Sequence, residues 1–413
     1  MRTWSRAIRW ALWGLLCGPV TLAQTQIRAF QPQNDPSQAR PGGATPYPVI
    51  NDWGDSISQG GEDGTPTTIC SALHSMSGIP CINYGIAGQK SSGIAARMGA
   101  VPVHVAVEGG VIPEVGDVAI EFSPSDYSPM MPGRPRLMVK GSIVADDGTQ
   151  IPGNTHCPTT ACYFTRLQPG ARKNATGARS WISGYSREGF NIIEACTNNI
   201  DRPEDCLKDV AAMVASIPTG SSYVVLPPFV GDTPEQWRGG RTYANAESIA
   251  KEEARLYPNN FIDVRRALVM AHPPGKDLVL NHDITPANLR SVLESGVLTA
   301  PLGASGCQMM TNGMKCVRND SYVIDSESIY VTSCIDGQVG SCTRGWDNTR
   351  AAAHAAGASV QRLDWLHPNG AGLTLIAEKI WQYLQGQQAQ PLNRRPVPSS
   401  NGINPGARTE RSE

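Results

Sequence analysis

Short apolar runs that end in small polar residues alternate along this chain with stretches of helical periodicity. The five runs are PYPVINDWGDS, IPCINYGIAG, FNIIEACTNN, SSYVVLPPF and NNFIDVRRAL. The stretches between and after them are TTICSALHSM, RPEDCLKDVAAMVASI, NAESIAKEEARLY and AGLTLIAEKIWQYLQ. In the last stretch Leu373, Ile376, Ile380 and Leu384 repeat at helical spacing. Strands that alternate with helices in this way indicate a βαβ arrangement, with a five-stranded parallel sheet and helices on both faces.

Two segments interrupt this alternation. From Val101 to about Gly189 the chain alternates in two-residue steps, with hairpin signals at Gly109-Gly110 and Asp147-Gly148. We therefore predict a β-rich antiparallel module at 100–189, inserted into a core that comprises 46–99 and 190–387. The second segment, 300–350, holds four cysteines and many Gly, Ser and Asn residues. It is expected to be a disulfide-stapled loop region without a core of its own.

The two ends of the chain differ from the core. Residues 1–23 combine three arginines with the apolar stretch WALWGLLCGPVTLA and small residues before a cut after Ala23, which predicts a secretory signal peptide. Residues 24–45 and 388–413 are rich in Gln, Pro, Gly and Ser and are expected to be flexible. The protein is thus expected to be secreted or periplasmic, and no later stretch approaches the roughly 20 apolar residues of a membrane helix.

Charge and cysteine content narrow the chemistry further. The chain has 35 Lys and Arg against 36 Asp and Glu, so no basic surface for nucleic acid is implied. Without Cys17 of the leader an even number of cysteines remains, which in an exported chain indicates disulfides. Sequence alone does not fix their connectivity; nearest-neighbour pairing predicts Cys70–Cys81, Cys157–Cys162, Cys196–Cys206, Cys307–Cys316 and Cys334–Cys342. Zinc is the alternative, but neither C-x-x-C nor H-E-x-x-H occurs, so no metal site is expected.

Candidate chemistry lies at the strand ends, where ligands bind in open parallel sheets. Ser56 follows the first strand, and its alternative role is that of a helix N-cap. After the second strand, Gly85 and Gly88 permit a turn whose N–H groups face an anion. Asn198 follows the third strand as an amide donor. Near the carboxyl end, the spacing Asp364-x-x-His367 on one turn lets the carboxylate orient the imidazole.

These stretches, Gly54-Asp55-Ser56, Asn83 to Gly88, Asn198 and Asp364-x-x-His367, resemble the four ordered blocks of the SGNH (GDSL) hydrolase family. The two-step alternation after the second block is similar to a subgroup with a β-rich insertion there. The predicted fold class is accordingly α/β: a flavodoxin-like three-layer α/β/α sandwich with a five-stranded parallel sheet, plus an inserted antiparallel β module.

The resemblance implies a role for each block. It implies that Ser56 is the nucleophile, with Asp364 and His367 completing a triad. It implies oxyanion donors at the Ser56 N–H, the Gly88 N–H and Asn198, with Asp55 and Asn83 in support. One departure concerns the third block, where Cys196 stands in place of the usual glycine; a disulfide to Cys206 could hold that turn. The remaining histidines are interpreted as structural or surface groups: 74, 104, 156, 272, 282 and 354.

The expected function is that of a secreted serine esterase that removes short acyl groups, such as acetyl, from a carbohydrate or another small ester, without a cofactor. Two alternatives remain open: a glycan- or partner-binding protein on an SGNH scaffold, and an acyltransferase that uses the same residues. The segment 300–350 precedes the histidine block, so it is expected either to wall the pocket and select substrate or to be a surface excursion.

Overall fold

The computed structural model describes residues 47–271, 287–346 and 349–388, except residues 62, 63 and 65. The strands in chain order are β1 (Ile50–Trp53), β2 (Cys81–Asn83), β3 (Val103–Val107), β4 (Val111–Ile112), β5 (Asp117–Ser123), β6 (Arg134–Val144), β7 (Gln150–Cys157), β8 (Cys162–Arg166), β9 (Lys173–Asn174), β10 (Ala178–Ser183), β11 (Phe190–Glu194), β12 (Ser222–Leu226), β13 (Arg290–Val297), β14 (Ser321–Ile324), β15 (Glu327–Ile335), β16 (Gln338–Trp346) and β17 (Ser359–Pro368). The α-helices are α1 (Ser56–Gln59), α2 (Ile69–Ser77), α3 (Ser91–Met98), α4 (Pro203–Ala215), α5 (Arg241–Leu256), α6 (Val264–Met270) and α7 (Gly370–Gln388). The predicted leader 1–23, the segment 24–45 and the tail beyond residue 388 lie outside the described residues.

A short parallel sheet carries the loops of interest. Its strand order is β12-β11-β1-β2, and β1 lies between β11 and β2 with Ile50 opposite both Phe190 and Cys81. Helices α2, α6 and α7 pack on one face around buried Ile50 and Phe190, and α3, α4 and α5 pack near Trp53 and Ile193 of the same strands. Because the strands are parallel, the loops that follow β1, β2 and β11 meet at one edge.

The predicted flavodoxin-like sandwich with five parallel strands is wrong. The parallel sheet has four strands of three to five residues, and the fifth run contributes only an isolated bridge between Val225 and Phe261. This run does not extend as a strand because Asp263 caps α6, accepting a hydrogen bond from the Arg266 N–H at 2.8 Å. Most strands of this β-rich chain belong to a barrel and to an antiparallel sheet.

The barrel is closed and antiparallel, with the strand order β10-β3-β5-β8-β7-β6 and a final pairing of β6 with β10. Along β3 buried and exposed residues alternate strictly, as they do in a strand with one face toward a core. Phe122, Val139, Phe164 and Trp181 fill the interior. Closure removes the free strand edges that would otherwise favour aggregation. The barrel occupies 103–183, within the segment where the two-step alternation predicts a β-rich module.

A third sheet is antiparallel, with the order β13-β17-β14-β15-β16. It includes β14, β15 and β16 from the segment 300–350, which was expected to lack a core. That expectation is wrong, because Leu302, Tyr322, Ile329 and Val339 are buried together in a cluster of their own. The alternation is hard to recognise in the sequence because β15 begins with five consecutive buried residues, 327–331, and β13 exposes the apolar residues Leu293 and Val297. The last strand of the chain, β17, carries Asp364 and His367 into this sheet.

Five disulfides are formed, and three of them are the predicted pairs Cys70–Cys81, Cys157–Cys162 and Cys196–Cys206. The predicted pairs Cys307–Cys316 and Cys334–Cys342 are wrong: the structure has Cys307–Cys342 and Cys316–Cys334. Strand pairing explains the difference. In the β15–β16 hairpin Cys334 lies opposite Val339 and Cys342 opposite Val331, so the two cysteines are on different rungs. Each instead bonds a cysteine of the loop that precedes β14.

Two properties bear on the compartment. The five disulfides suit an extracellular or periplasmic protein, since reducing compartments keep thiols reduced. Within the part of the chain that the structure describes, every helix is too short or too polar to cross a bilayer.

Candidate active site

A cavity of about 290 Å³ lies at the carboxyl edge of the parallel sheet. It brings together Ser56, Gly88, Asn198 and His367, each from a different loop or strand end. The described residues that line it are Ser56, Ala87, Gly88, Arg134, Thr197, Asn198, Phe229, Gln236, Trp365, Leu366 and His367. α1, which begins at Ser56, contacts β17, and this contact brings the serine and histidine segments side by side.

Ser56 is the first residue of α1 and is 5 % exposed. The helix N-cap is Asp55, whose Oδ1 accepts the Ile57 N–H at 3.0 Å, so the alternative role of Ser56 as N-cap is filled by its neighbour. Gly54 is required by close packing, since a Cβ there would lie 2.1 Å from Ser58 Oγ. The turn therefore leaves the Ser56 side chain at the cavity wall without a capping role.

The loop after β2 is fastened to α1. Asn83 Nδ2 donates to the Ser58 carbonyl oxygen at 2.7 Å, and Asn83 Oδ1 accepts the Gly85 N–H at 2.8 Å. Asn83 therefore supports the loop from outside the cavity. Gly88 has φ +80°, a left-handed conformation that side chains with a Cβ rarely adopt, and it lines the cavity.

Asn198 lies in a 3-10 turn, Thr197–Asn199, directly after β11. Its Nδ2 donates to Asp55 Oδ2 at 2.9 Å and to the Gln89 carbonyl oxygen at 3.2 Å. Both amide hydrogens thus have partners, and Asn198 can serve an oxyanion only by exchanging one of these bonds. The turn begins at Cys196, which has φ 84° and is bonded to Cys206 on α4. The disulfide thus fixes a cysteine in the left-handed conformation that glycine would adopt most easily.

Asp364 and His367 lie near the end of β17, and their side chains meet. His367 Nδ1 is 3.0 Å from Asp364 Oδ1. The same oxygen accepts the N–H groups of Leu366 and His367, each at 2.7 Å, so a side-chain turn within the strand replaces the predicted turn ahead of the helix. Burial raises the pKa of Asp364, but the His367 ring and these N–H groups outweigh burial and hold the pKa below its usual value.

Buried carboxyl groups lie directly beneath the serine turn. Burial raises the pKa of Asp55 to about 6. Glu194, the last residue of β11, accepts the Asp55 N–H at 3.1 Å and the Thr197 hydroxyl at 3.1 Å. Burial and the adjacent Asp55 carboxylate raise the pKa of Glu194 well above its usual range, so Glu194 is the protonated member of the pair. Burial likewise raises the pKa of Asp52 to about 7.

Sequence reasoning missed several residues of the site. Phe229 follows β12, so the strand-end argument, if extended to the fourth strand, would have found it. Trp365 lies between the predicted Asp364 and His367. Arg134 comes from the barrel, and no sequence signal indicates that it reaches the cavity. In the described part of 300–350, no residue lines the cavity, so the expected substrate-selecting wall is not found there.

β17 of the third sheet lines the cavity, and other strands of the sheet hold the loop after β12 in place. Asp232 is 1 % exposed; its N–H donates to the Trp365 carbonyl oxygen at 2.6 Å, and its carboxylate is 2.8 Å from Arg290 Nη1. The indole N–H groups of Trp237 and Trp346 also donate to this carboxylate. Asp232 thus anchors the loop after β12 and the backbone of Trp365 to the third sheet.

Among the described residues, the other histidines do not line the cavity. His354 contacts two carboxylates, Asp325 and Glu327, each at 2.8 Å, although no sequence spacing indicated a partner. His272 and His282 lie outside the described residues. Among the described residues, the candidate grouping for a metal is Cys196, Cys206 and Glu253. The two sulfur atoms are bonded to each other, so neither is a thiolate ligand.

Comparisons with known proteins give no relative. No family model, curated protein or solved structure matches this chain.

Proposed function

We propose that this protein is a serine esterase that hydrolyses short-acyl carboxylic esters, and that it is a divergent SGNH-type hydrolase. The observation that carries the proposal is the convergence of Ser56, Gly88, Asn198 and His367 on one cavity, with the imidazole of His367 held by Asp364 at 3.0 Å. A hydroxyl, an imidazole oriented by a carboxylate, and N–H donors around one cavity are the groups that acyl transfer through a serine requires.

In the first half-reaction, Ser56 Oγ attacks the ester carbonyl carbon while His367 accepts the hydroxyl proton through Nε2. Asp364 stabilises the imidazolium, and its lowered pKa keeps it ionised for this role at neutral pH. The tetrahedral intermediate collapses to an acyl-serine, and the proton on His367 goes to the departing alcohol. In the second half-reaction, water attacks the acyl-serine by the same path.

The developing oxyanion needs preorganised donors. The Ser56 and Gly88 N–H groups come from the two turns at the cavity wall, and the left-handed backbone of Gly88 sets the direction of its loop. The amide of Asn198 is the third donor. In the resting protein it bonds Asp55 and Gln89, so substrate binding exchanges one of those bonds for the oxyanion.

The size of the cavity favours a small acyl group. At about 290 Å³ it is at the lower end of the range of ligand pockets, which is about 300 to 1,000 Å³. The buried turn around Ser56 also limits the depth available to a long chain. We further propose that the protein is exported by the leader 1–23, in agreement with its five disulfides.

The test is turnover of a panel of p-nitrophenyl esters, from acetate to long chain, by native protein and by two serine variants. Ser56→Ala is expected to lose hydrolysis and labelling by an organophosphonate, while its circular dichroism spectrum stays native. Ser75→Ala, an exposed serine of α2, is the matched control and is expected to behave as the native protein. Labelling that persists in Ser56→Ala, or native protein that turns over no ester, would contradict the proposal.

A further inference from the structure

The barrel contributes one charged residue to the cavity. Arg134 is the first residue of β6, it is half-buried, and it lines the cavity beside Ala87 and Gly88. One of its terminal nitrogens donates to the Ala87 carbonyl oxygen at 3.3 Å. This bond holds the guanidinium next to the loop that carries the proposed oxyanion donor Gly88.

The charge of Arg134 is not balanced within the cavity. Of the described residues that line the cavity, it is the only Lys or Arg, and none is Asp or Glu. No carboxylate whose side chain the structure describes forms an ion pair with it. A guanidinium that keeps its charge and most of its N–H donors beside a cavity is suited to bind an anion, above all a planar carboxylate in a bidentate manner.

Other parts of the lining have a different character. Phe229 and Trp365 supply aromatic surface, and the side chain of Trp365 is partly exposed. Apart from Arg134 and the proposed catalytic groups Ser56, Asn198 and His367, the polar lining residues are the neutral Gln236 and Thr197. The cavity therefore offers one positive position, from the barrel, and aromatic surface from the loop after β12 and from β17. A substrate that satisfies both has an anionic group on one side of the ester.

We infer that this site selects esters that carry a carboxylate close to the scissile bond, and that Arg134 is the residue that determines this specificity. The inference rests on the proposed esterase function. The carboxylate belongs either to the acyl group or to the alcohol, as in an acetylated uronic acid, and both place the same anion within reach of one guanidinium. Two matched substrate pairs separate these sources.

The acyl pair is p-nitrophenyl hydrogen succinate and p-nitrophenyl butyrate, which differ in a terminal carboxylate against a methyl group. The alcohol pair is acetylated methyl glucuronoside and acetylated methyl glucoside. In the pair that matches the natural substrate, native protein is expected to prefer the carboxylate member. Arg134→Gln is expected to lower that preference, as a ratio of kcat/KM values, by about 10- to 100-fold, the range expected for hydrogen bonds to a charged group.

Two further variants sharpen this test. Arg134→Lys keeps a point charge without the bidentate fork and is expected to retain an intermediate preference. Arg136→Gln removes an exposed arginine two residues along β6 that does not line the cavity, and it is expected to leave both members of each pair unchanged.

The outcomes distinguish this inference from the esterase proposal. If native protein hydrolyses the neutral esters and Arg134→Gln leaves the ratio unchanged in both pairs, the specificity inference is overturned and the esterase stands. If native protein hydrolyses none of the esters, the esterase proposal fails. Calorimetry with the acetylated glucuronoside then tests whether Arg134 binds an anion. Binding that Arg134→Gln weakens about tenfold or more supports the anion site, whereas equal binding overturns it.

Discussion

At the carboxyl edge of the parallel sheet, Asp52 and Glu194 are buried and accept hydrogen bonds from hydroxyl and backbone N–H groups. In the third sheet, Glu327 is equally buried, but its carboxylate accepts hydrogen bonds from Nε and Nη2 of Arg344 at 2.6 and 2.7 Å. It also contacts His354. Arg97, the cation near Asp52 and Glu194, donates instead to Gln89 and to the Gly54 carbonyl oxygen.

This difference decides the protonation of each group. Burial raises the pKa of Glu327, but Arg344, His354 and two backbone N–H groups outweigh burial and lower its pKa to about 2. Burial without a bonded cation raises the pKa of Asp52 to about 7. A protonated carboxyl group can donate as well as accept hydrogen bonds, so Asp52 and Glu194 can be held by hydrogen bonds without a bound cation. Glu327 of the third sheet is instead ionised and held by the Arg344 guanidinium.

The largest effect is expected from breaking the ion pair of Glu327 with Arg344. Arg344→Ala leaves Glu327 buried without its main counter-charge and removes bonds to three backbone carbonyl groups, so the free energy of unfolding is expected to fall by about 3–5 kcal/mol. Urea denaturation measures this fall. Arg255→Ala, which breaks the exposed ion pair with Glu252, is the control and is expected to lose far less stability, because solvent screens exposed pairs. Equal losses in the two variants would show that the charge on Glu327 is well solvated.

The hydrogen bonds around the serine turn are tested through Asn198, whose amide donates to Asp55. If it donates to the oxyanion, Asn198→Ala is expected to lower kcat for the best ester by about 10²–10³-fold with a smaller change in KM. Steady-state kinetics separate the two constants, and Asn259→Ala, an exposed asparagine in a turn, is the control. An unchanged kcat would assign both hydrogen bonds of Asn198 to the structure of the loop alone.

The two regions are also expected to respond to pH with opposite signs. Asp52 has a raised pKa, so its contribution to stability is fully present below its usual value of 3.8 and is lost as the pH rises through about 7. Glu327 has a lowered pKa, so its contribution is present above its usual value of 4.5 and is lost as the pH falls toward about 2.

Denaturation at a series of pH values measures both contributions. Asp52→Asn is expected to flatten the decline in unfolding free energy between about pH 4 and 7 by up to about 1.4 kcal/mol per pH unit. Glu327→Gln is expected to flatten only the decline in unfolding free energy that occurs as the pH falls below about 4.5. A change on the same side in both variants would contradict the assignment of opposite protonation states.

The smallest expected effect concerns the turn at Cys196. Both Cys196→Gly/Cys206→Ala and Cys196→Ala/Cys206→Ala remove the disulfide, but only alanine must adopt φ 84° with a Cβ. The glycine variant is therefore expected to be more stable than the alanine variant by about 1 kcal/mol. Thermal denaturation of the two variants measures this difference. Equal stability would show that the turn relaxes once the disulfide is absent.

The sequence was informative where geometry follows from local pattern. Ser56, Gly88 and Asn198 each follow an apolar run, and parallel strands bring such positions to one edge, so their common location could be predicted; their chemical roles stay a prediction. The β-rich character of the barrel segment followed from alternation, but its closure depends on the pairing of β6 with β10, which no local pattern encodes.

Long-range pairing explains what the sequence could not give. The flavodoxin-like fold was wrong because the fifth apolar run forms only a bridge before the cap of α6, and because β15 of the third sheet lacks a regular alternation of buried and exposed residues. The crossed disulfides of Cys307 and Cys316 follow the hairpin register and not the spacing along the chain. Arg134 reaches the cavity only because the barrel folds back on the loop after β2. His354 lies 27 residues from its partner Glu327 and 29 residues from its partner Asp325 along the chain.

The first and last strands of the barrel are neighbours, with Val103 of β3 opposite Trp181 of β10. The chain therefore leaves the barrel close to where it came in, and Ser183 and Arg187 bond the backbone at the end of α3. A unit attached through adjacent ends can be exchanged for another in evolution or by engineering, with little strain on its host. Through Arg134, such an exchange would change which esters are recognised while the proposed nucleophile and its histidine remain in place.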